Sequence, residues 1–480
     1  MTEARTPPKV RRPEPAPRVF SPAVAELKKL LAIADSAADP GPAREEVLHE
    51  FHTVASETPL FEESGLAGHT IVTFLFWDAT AADVLLFANR LTDERDIVRS
   101  LMDRVPGTPI WSLSYLMRDD WRASYAFVPL KSWQGARLRE ANAGAGAGAG
   151  AGVAGLAVPA GAGATPGSAA PGTELNRPDQ LRLRELLDRG VPDPRNSVRC
   201  MNRVRKPMSI VSLPDALHDP WPADCIAVQH PEIYTGLAGT LQHAAMPGDA
   251  GPDGQELWLY HPPALRADVD ADADRAADRF ADGDLPLLVV LDGDTWLTQQ
   301  HLHRILERQM LAGELPPLRA LFVASGGREN RWQRLHAAAE FETVLVESVL
   351  PWARTHWRLP ASGLTVLTGQ SLAGYVAITA GLRHPRAFNH VIAQSASLWQ
   401  ADPFQALARH GSRHSFEAAD SPQLHIQVGL QEWVLLEPHR DLVRNLREQG
   451  WNVTATEYNG GHDYVLWRAH LVETLRRVLR

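Results

Sequence analysis

The feature that most constrains this chain is the run Leu364-Thr365-Val366-Leu367-Thr368, followed at once by Gly369-Gln370-Ser371-Leu372-Ala373-Gly374. The first five residues, β-branched and apolar, read as a buried strand; Tyr375-Val376-Ala377-Ile378-Thr379-Ala380 beyond the turn reads as a helix. A strand that passes through a sharp turn, with a serine at its apex, into a helix is the geometry of a nucleophile elbow. The turn strains the serine backbone, so its flanks must be small. Gly369 supplies one small flank; Ala373, with Gly374 behind it, supplies the other.

The surrounding sequence agrees with that demand. Residues 257–260, 286–291, 319–324, 424–429 and 453–458 read as further strands, with helical patterns over 341–350 and 438–449 between them. Together they predict an α/β domain with a mostly parallel sheet covered by helices. Upstream, residues 70–77, 83–87, 109–116 and 121–128 are short strand patterns separated by turn signals, which predict a small β-sandwich. Residues 23–31 have helical spacing. A chain of 480 residues is too long for one ordinary core, so two domains are expected.

Composition excludes several classes. Residues 1–20, rich in Pro and Arg and without an apolar core, read as a disordered arm and not as a secretory signal. A net charge of −9 gives no reason to expect nucleic-acid binding, and no apolar run suffices to cross a bilayer. Cys200 and Cys225 fit no metal-binding spacing. No metal or other cofactor is expected in catalysis. A cytoplasmic location is the simplest reading. Residues 143–172 are nearly pure Ala and Gly and read as a flexible segment, and residues 266–284, with seven Asp, as a solvated loop.

A serine hydroxyl needs a base within hydrogen-bond reach, and the base needs an orienting acid. On this kind of sheet the three arrive in the order Ser, acid, His. Ser371 sits on the elbow, Glu432 follows the strand ending at Gly429, and His462 follows Gly460-Gly461 after the strand ending at Tyr458. Glu437 and Asp441 are nearby rivals for the acid, and Asp463 reads as a helix N-cap. Two backbone N–H groups must face the attacked carbonyl. One is expected from Leu372; the other from the turn after residues 286–291, at Gly293 or Asp294.

With these residues placed, the chain resembles the enterochelin esterase family from about residue 70 to the end. The likeness rests on Gly369-Gln370-Ser371, Gln394-Ser395-Ala396-Ser397-Leu398-Trp399, Gly429-Leu430-Gln431-Glu432 and Gly460-Gly461-His462-Asp463 with Trp467-Arg468. In the first domain it rests on residues 121–129 and on Asp193-Pro194-Arg195-Asn196. Arg334 departs from the family's Arg-x-x-Glu-Leu pattern and Ala373 from its first elbow glycine. The resemblance implies an α/β-hydrolase domain over 226–480. It makes 21–225 one N-terminal β-sandwich domain that carries the Ala/Gly segment as an insertion. It further implies a cytoplasmic serine esterase acting on a ferric siderophore, the iron entering with the substrate. A general carboxylesterase, an acyltransferase and a non-catalytic siderophore binder stand as alternatives. Iron-loaded tris-catecholates are anionic and aromatic, so Arg328, Arg331 and Arg334 are candidates to supply charge and Trp296, Trp332 and Trp399 to stack on catechol rings. The sequence leaves the oligomeric state open.

Overall fold

The computed structural model describes residues 15–93, 96–132, 134–135, 138, 185–202, 205–217, 236–247, 254–263, 285–336, 338–360, 363–400, 403 and 421–479. The Ala/Gly segment, the acidic loop at 266–284 and the boundary expected near 225 lie outside these residues. The chain divides into two compact units, one of Ala16–Met117 with Tyr125–Ser209 and one holding Arg118–Ser124 and Ile210–Arg480.

The N-terminal unit opens with helices α1 (Pro22–Ala34) and α2 (Pro40–Val54). Its strands are β1 (Leu60–Glu63), β2 (His69–Trp77), β3 (Asp83–Ala88), β4 (Asp103–Arg104), β5 (Ile110–Arg118), β6 (Arg122–Leu130), β7 (Arg199–Met201) and β8 (Pro207–Ser212). They form two four-stranded sheets, ordered β1-β2-β5-β4 and β3-β6-β8-β7. Strand β2 explains the layering. Its Phe74 and Phe76 meet Tyr125 and Phe127 of β6, with ring centroids 5.0 and 4.8 Å apart. Leu75, pointing the other way, packs with Val24, Leu27 and Leu31 of α1 and Phe51 of α2. A strand buried on both faces carries a near-continuous apolar run, as 71–76 does, interrupted at Thr73, whose hydroxyl is bonded to Glu62 and Ser114. Ser21 caps α1 by accepting from Val24 N–H, with Pro22 in the first turn, where a missing N–H costs nothing.

The expected disordered arm is corrected at its end. Arg18 bridges antiparallel to Tyr115, Val19 N–H donates to the Ser114 carbonyl at 3.1 Å, and Arg18 pairs with Asp103 at 2.9 Å. This segment has β-strand partners, a long-range pairing that its Pro-rich composition does not reveal.

The C-terminal unit is built on β9 (Thr240–Met246), β10 (Gln255–His261), β11 (Leu287–Leu291), β12 (Arg319–Val323), β13 (Thr365–Gln370), β14 (His390–Gln394), β15 (Gln423–Gly429) and β16 (Val453–Tyr458). The spatial order is β16-β15-β14-β13-β11-β12-β10-β9. Pairings from β12 through β16 are parallel, and β10 and β9 add an antiparallel edge. Around the sheet lie α3 (Gly293–Thr298), α4 (Leu302–Leu311), α5 (Gly327–His336), α6 (Ala338–Val344), α7 (Leu350–His356), α8 (Leu372–Arg383), α9 (Leu436–Glu448) and α10 (Tyr464–Val478). Central strands β11 and β13 are buried at every position. Helix α8 is buried from Leu372 to Leu382 and lies at the centre of the main core. The fold is that of an α/β-hydrolase domain preceded by a β-sheet domain.

The strand order fixes where a site can form. From β11 the chain passes to β12 on one side, and from β13 to β14, β15 and β16 on the other. Ligands on such sheets bind beyond the carboxyl ends of the strands, where the order reverses. Here that point lies between β11 and β13. Residues Val290 and Thr368 are paired there, and three residues past each are Gly293 and Ser371.

Candidate active site

Three residues outside the glycines are held at positive φ on the carboxyl ends of neighbouring strands: Asp292 at 55° after β11, Ser371 at 58° after β13 and Ser395 at 48° after β14. Each such conformation costs on the order of 1–3 kcal/mol and persists only where its surroundings over-determine it. At Ser371 (ψ −117°) the surroundings are visible. Its N–H donates to the Gln394 carbonyl at 3.0 Å, and its own carbonyl accepts from Ser397 N–H at 2.9 Å and from Tyr375 N–H at 3.1 Å. Gly369 is required by the tightness of the turn, since a Cβ there would lie 2.2 Å from the Ala373 carbonyl oxygen. The half-buried Ser371 Oγ rests 3.3 Å from Ser397 Oγ.

Two strands over, Glu432 and His462 meet. His462 Nδ1 lies 2.6 Å from Glu432 Oε2, with the carboxylate side chain 0% exposed and the imidazole 26% exposed. The acid is sealed while the base reaches the solvent-facing side of the site. Oε1 of Glu432 accepts from Gly429 N–H at 2.9 Å and from Ser395 Oγ at 2.5 Å. Glu437 pairs with Arg440 and Asp441 with Arg444, so both rivals for the acid are engaged on α9. Asp463 caps α10 by accepting from Val465 N–H, and its other oxygen takes both Ser124 N–H and Ser124 Oγ, at 2.8 and 2.7 Å. The indole of Trp467 stands edge-on to the His462 ring, 4.7 Å between centroids.

Beneath these groups runs a ladder of buried amides. Gln370, Gln394 and Gln427 are register partners on β13, β14 and β15. The Trp296 indole N–H, which can only donate, gives its hydrogen to Gln370 Oε1 at 2.7 Å and so fixes the direction of the chain. Gln370 then donates to Gln394, Gln394 to Gln427 and Gln427 to Thr474, at 2.9, 2.7 and 2.7 Å. The ladder holds the ends of three strands in register just below the strained residues. His439 holds the same segment from α9. Burial lowers its pKa, and the neutral ring donates from Nδ1 to the Leu435 carbonyl while Nε2 accepts from Ala396 N–H, at 2.7 and 2.9 Å.

The remaining sequence candidates separate into those the fold leaves at the surface and those it uses internally. Leu372 and Gly293 are the first residues of α8 and α3, where backbone N–H groups have no partner within the helix. Packing requires glycine at 293, since a Cβ there would lie 2.5 Å from Val323 N. Asp294 accepts from Ser325 N–H at 3.2 Å. Trp296 is corrected as a stacking residue, because it is 0% exposed and bonded to Gln370. Arg331 is spent on Asp292, which it grips from Nε and a terminal nitrogen at 2.8 and 2.7 Å. Arg334 donates to Gln255 Oε1 at 3.0 Å. Arg328 lies on α5, its side chain outside what is described. Trp332, 41% exposed, stacks with half-buried Trp399 (centroids 6.3 Å apart) and with His336 (5.4 Å), giving a surface aromatic cluster. No cluster of metal-ligating side chains occurs among the described residues, and no helix among them is long and apolar enough to cross a membrane.

Sequence reasoning gave no role to Ser395, Ser397, Tyr458, Trp467, His439 or the glutamine ladder. The available signal was the mostly polar run Gln394-Ser395-Ala396-Ser397 at the end of β14, a strand whose apolar run is only Val391-Ile392-Ala393.

Two family models cover most of the chain: "Enterochelin esterase, N-terminal" matches residues 71–222 and "Putative esterase" matches 280–478. The chain belongs to the enterochelin esterase family. Its relatives include the iron(III) enterobactin esterase of Dickeya dadantii, 25% identical over 450 residues that make up 88% of this chain and 90% of the relative. The iron(III) salmochelin esterase of Escherichia coli is 23% identical, covering 84% and 86% of the two chains. Among solved structures, the ferric enterobactin esterase of Salmonella typhimurium superposes with a TM-score of 0.63 at 20% identity, covering 89% of this chain and 98% of that one. The enterobactin esterase of Shigella flexneri, in the presence of enterobactin, gives 0.62 at 19%, covering 89% and 97%. The family is one of carboxylic ester hydrolases, and the shared fold extends over both units.

Proposed function

We propose that this protein is a serine esterase that hydrolyses the ester bonds of a ferric catecholate siderophore and thereby releases iron in the cytoplasm. The observation that carries the hydrolytic reading is the strained Ser371 elbow at the same sheet edge as the sealed Glu432–His462 pair. With Glu432 accepting from Nδ1–H, the imidazole's lone pair is on Nε2, the tautomer a general base requires. Ser371 Oγ attacks the ester carbonyl carbon and its proton passes to His462 Nε2. The tetrahedral oxyanion is met by the N–H groups of Leu372 and of Gly293 or Asp294 at two helix starts. His462 then returns the proton to the departing alkoxide, leaving an acyl-enzyme. Water, deprotonated by the same nitrogen, attacks the acyl carbon and restores Ser371.

The siderophore assignment rests on family membership and on the Trp332–Trp399 cluster, a surface suited to flat aromatic rings. Opening a lactone scaffold separates the catechols it holds together and weakens the chelate. That chemistry needs no metal from the protein, since the iron is cargo.

The test is labelling with a fluorophosphonate followed by peptide mapping. Modification at Ser371, slowed by an iron-loaded tris-catecholate lactone, is expected. A labelled Ser371 that the lactone does not protect would leave an esterase with a different substrate, and an unlabelled Ser371 would contradict the serine mechanism.

A further inference from the structure

Ser395 has a strained backbone, no exposed surface and a hydroxyl whose hydrogen bonds can be fully assigned. Its Oγ lies 2.5 Å from Glu432 Oε1, 2.8 Å from Trp467 Nε1 and 3.1 Å from the Tyr458 hydroxyl. An indole N–H only donates and an ionised carboxylate only accepts. Ser395 therefore accepts from Trp467 and gives its single hydrogen to Glu432, which obliges Tyr458 to donate as well. Tyr458 is suited to this: burial, and then the Glu432 carboxylate, hold its hydroxyl neutral far above ordinary pH.

We propose that Ser395 is a positioning residue for the acid of this site. Two donors aim its hydroxyl, the hydroxyl occupies one oxygen of Glu432, and the other oxygen is left turned toward His462. The circuit closes on itself, because the Trp467 indole that donates to Ser395 also stands against the His462 ring. The strain at Ser395 has a purpose in this account. A φ of 48° swings the side chain back across the end of β14 toward β15, where an ordinary strand continuation would carry it away.

Removing the Ser395 hydrogen takes one donor from Glu432, which keeps those of Gly429 N–H and His462. A carboxylate with one donor fewer is more basic, and it stabilises the imidazolium opposite it. Tyr458 on β16 and His439 on α9 also face this pair, and Asp463 at the start of α10 faces Tyr458. His439 and Asp463 do not replace the lost hydrogen, since His439 Nε2 accepts from Ala396 and Asp463 is an acceptor held by Ser124, while Tyr458 loses its own acceptor in the same change.

The inference rests on the esterase reading for its effect on turnover, and its test separates the two. Ser395→Gly is the informative variant, since glycine adopts this φ without strain while lacking the hydroxymethyl group; Ser395→Ala, which lacks only the hydroxyl, is its companion. A hydrogen bond to a charged group is worth about 1.5–3 kcal/mol. On an aryl ester, kcat is therefore expected to fall about 10- to 150-fold with KM within about twofold, and the acid limb of kcat/KM to move up by about one pH unit. In a Glu432→Gln background the same change is expected to cost under about threefold, because the charged acid through which Ser395 acts is gone. A loss with an unmoved acid limb, or one equally large in both backgrounds, overturns the proposal. The downfield NMR resonance of His462 Nδ1–H supplies a readout that does not depend on turnover. If Ser371→Ala retained full activity the hydrolytic reading would fall, yet a resonance that moves in Ser395→Gly would still support this assignment, and one that stays would still refute it.

Discussion

Replacing Glu432 by Gln tests how the base is oriented, because it removes one charge with almost no change of volume. The carboxylate uses both oxygens: Oε1 takes Ser395 and Gly429, and Oε2 takes His462 at 2.6 Å. An amide has only one oxygen. With that oxygen kept on the Ser395 and Gly429 side, where two donors demand it, the NH₂ faces His462 and forces Nδ1 to accept. The imidazole hydrogen then moves to Nε2, and the nitrogen that should take the Ser371 proton already holds one. Loss of the charge-assisted bond alone is worth about 1.5–3 kcal/mol, or roughly 10- to 150-fold. The wrong tautomer adds to this, and the corresponding change in a Ser-His-Asp hydrolase costs about 10⁴. The expected fall in kcat is thus about 10²- to 10⁴-fold at pH 7 with KM little changed, measured by steady-state kinetics on an aryl ester. A fall below about threefold, in a variant that unfolds at the wild-type temperature, would refute the reasoning and describe the site as a Ser-His dyad.

Three further outcomes follow from the same geometry. Arg331→Ala leaves the buried carboxylate of Asp292 without its bidentate partner, so thermal unfolding should register a loss of about 3–5 kcal/mol; a variant of unchanged stability would return Arg331 to the role of a free substrate contact. Trp332→Ala removes the exposed member of the aromatic cluster and should raise KM about tenfold for a catecholate substrate while leaving an aliphatic ester unaffected, a contrast read by paired kinetics. Burial holds His301, His425 and His470 at about 4, below the roughly 6.5 of an unfolded chain. The unfolded state therefore takes up protons first, and stability is full above about pH 6.5 and lost as the pH falls toward 4. At pH 5 each histidine costs about 2 kcal/mol, and the Tm should fall steeply over that window; a flat profile would show these rings to be protonated in the folded state.

Much of this site was legible because its logic runs along the chain. The elbow is a local pattern, and the positions of Glu432 and His462 follow from counting past two strands. Asp463 likewise announced itself as a cap by standing just ahead of a helix. What the sequence hid is partnership across strands. Nothing near Arg331 in sequence says that Asp292, 39 residues earlier, will take both sides of its guanidinium. Trp296 was a candidate ring for a ligand because the implied substrate is aromatic, yet α3 turns it inward onto Gln370. Strand β14 has an apolar run of only Val391-Ile392-Ala393 between polar ends and was not read as a strand, and with it went Ser395 and the glutamine ladder. Residues 16–20 failed for the same reason, since an edge pairing made at a distance of nearly a hundred residues leaves no trace in Pro-rich composition.

The central claim is most directly tested by product analysis. The purified protein and its Ser371→Ala variant are incubated with an iron-loaded tris-catecholate lactone, and the linear fragments are followed by chromatography. Fragments from the wild type, and none above background from the variant, are the predicted result. Fragments formed equally by both would contradict Ser371 as the nucleophile, and an intact lactone beside a cleaved aryl ester would contradict the siderophore as the substrate.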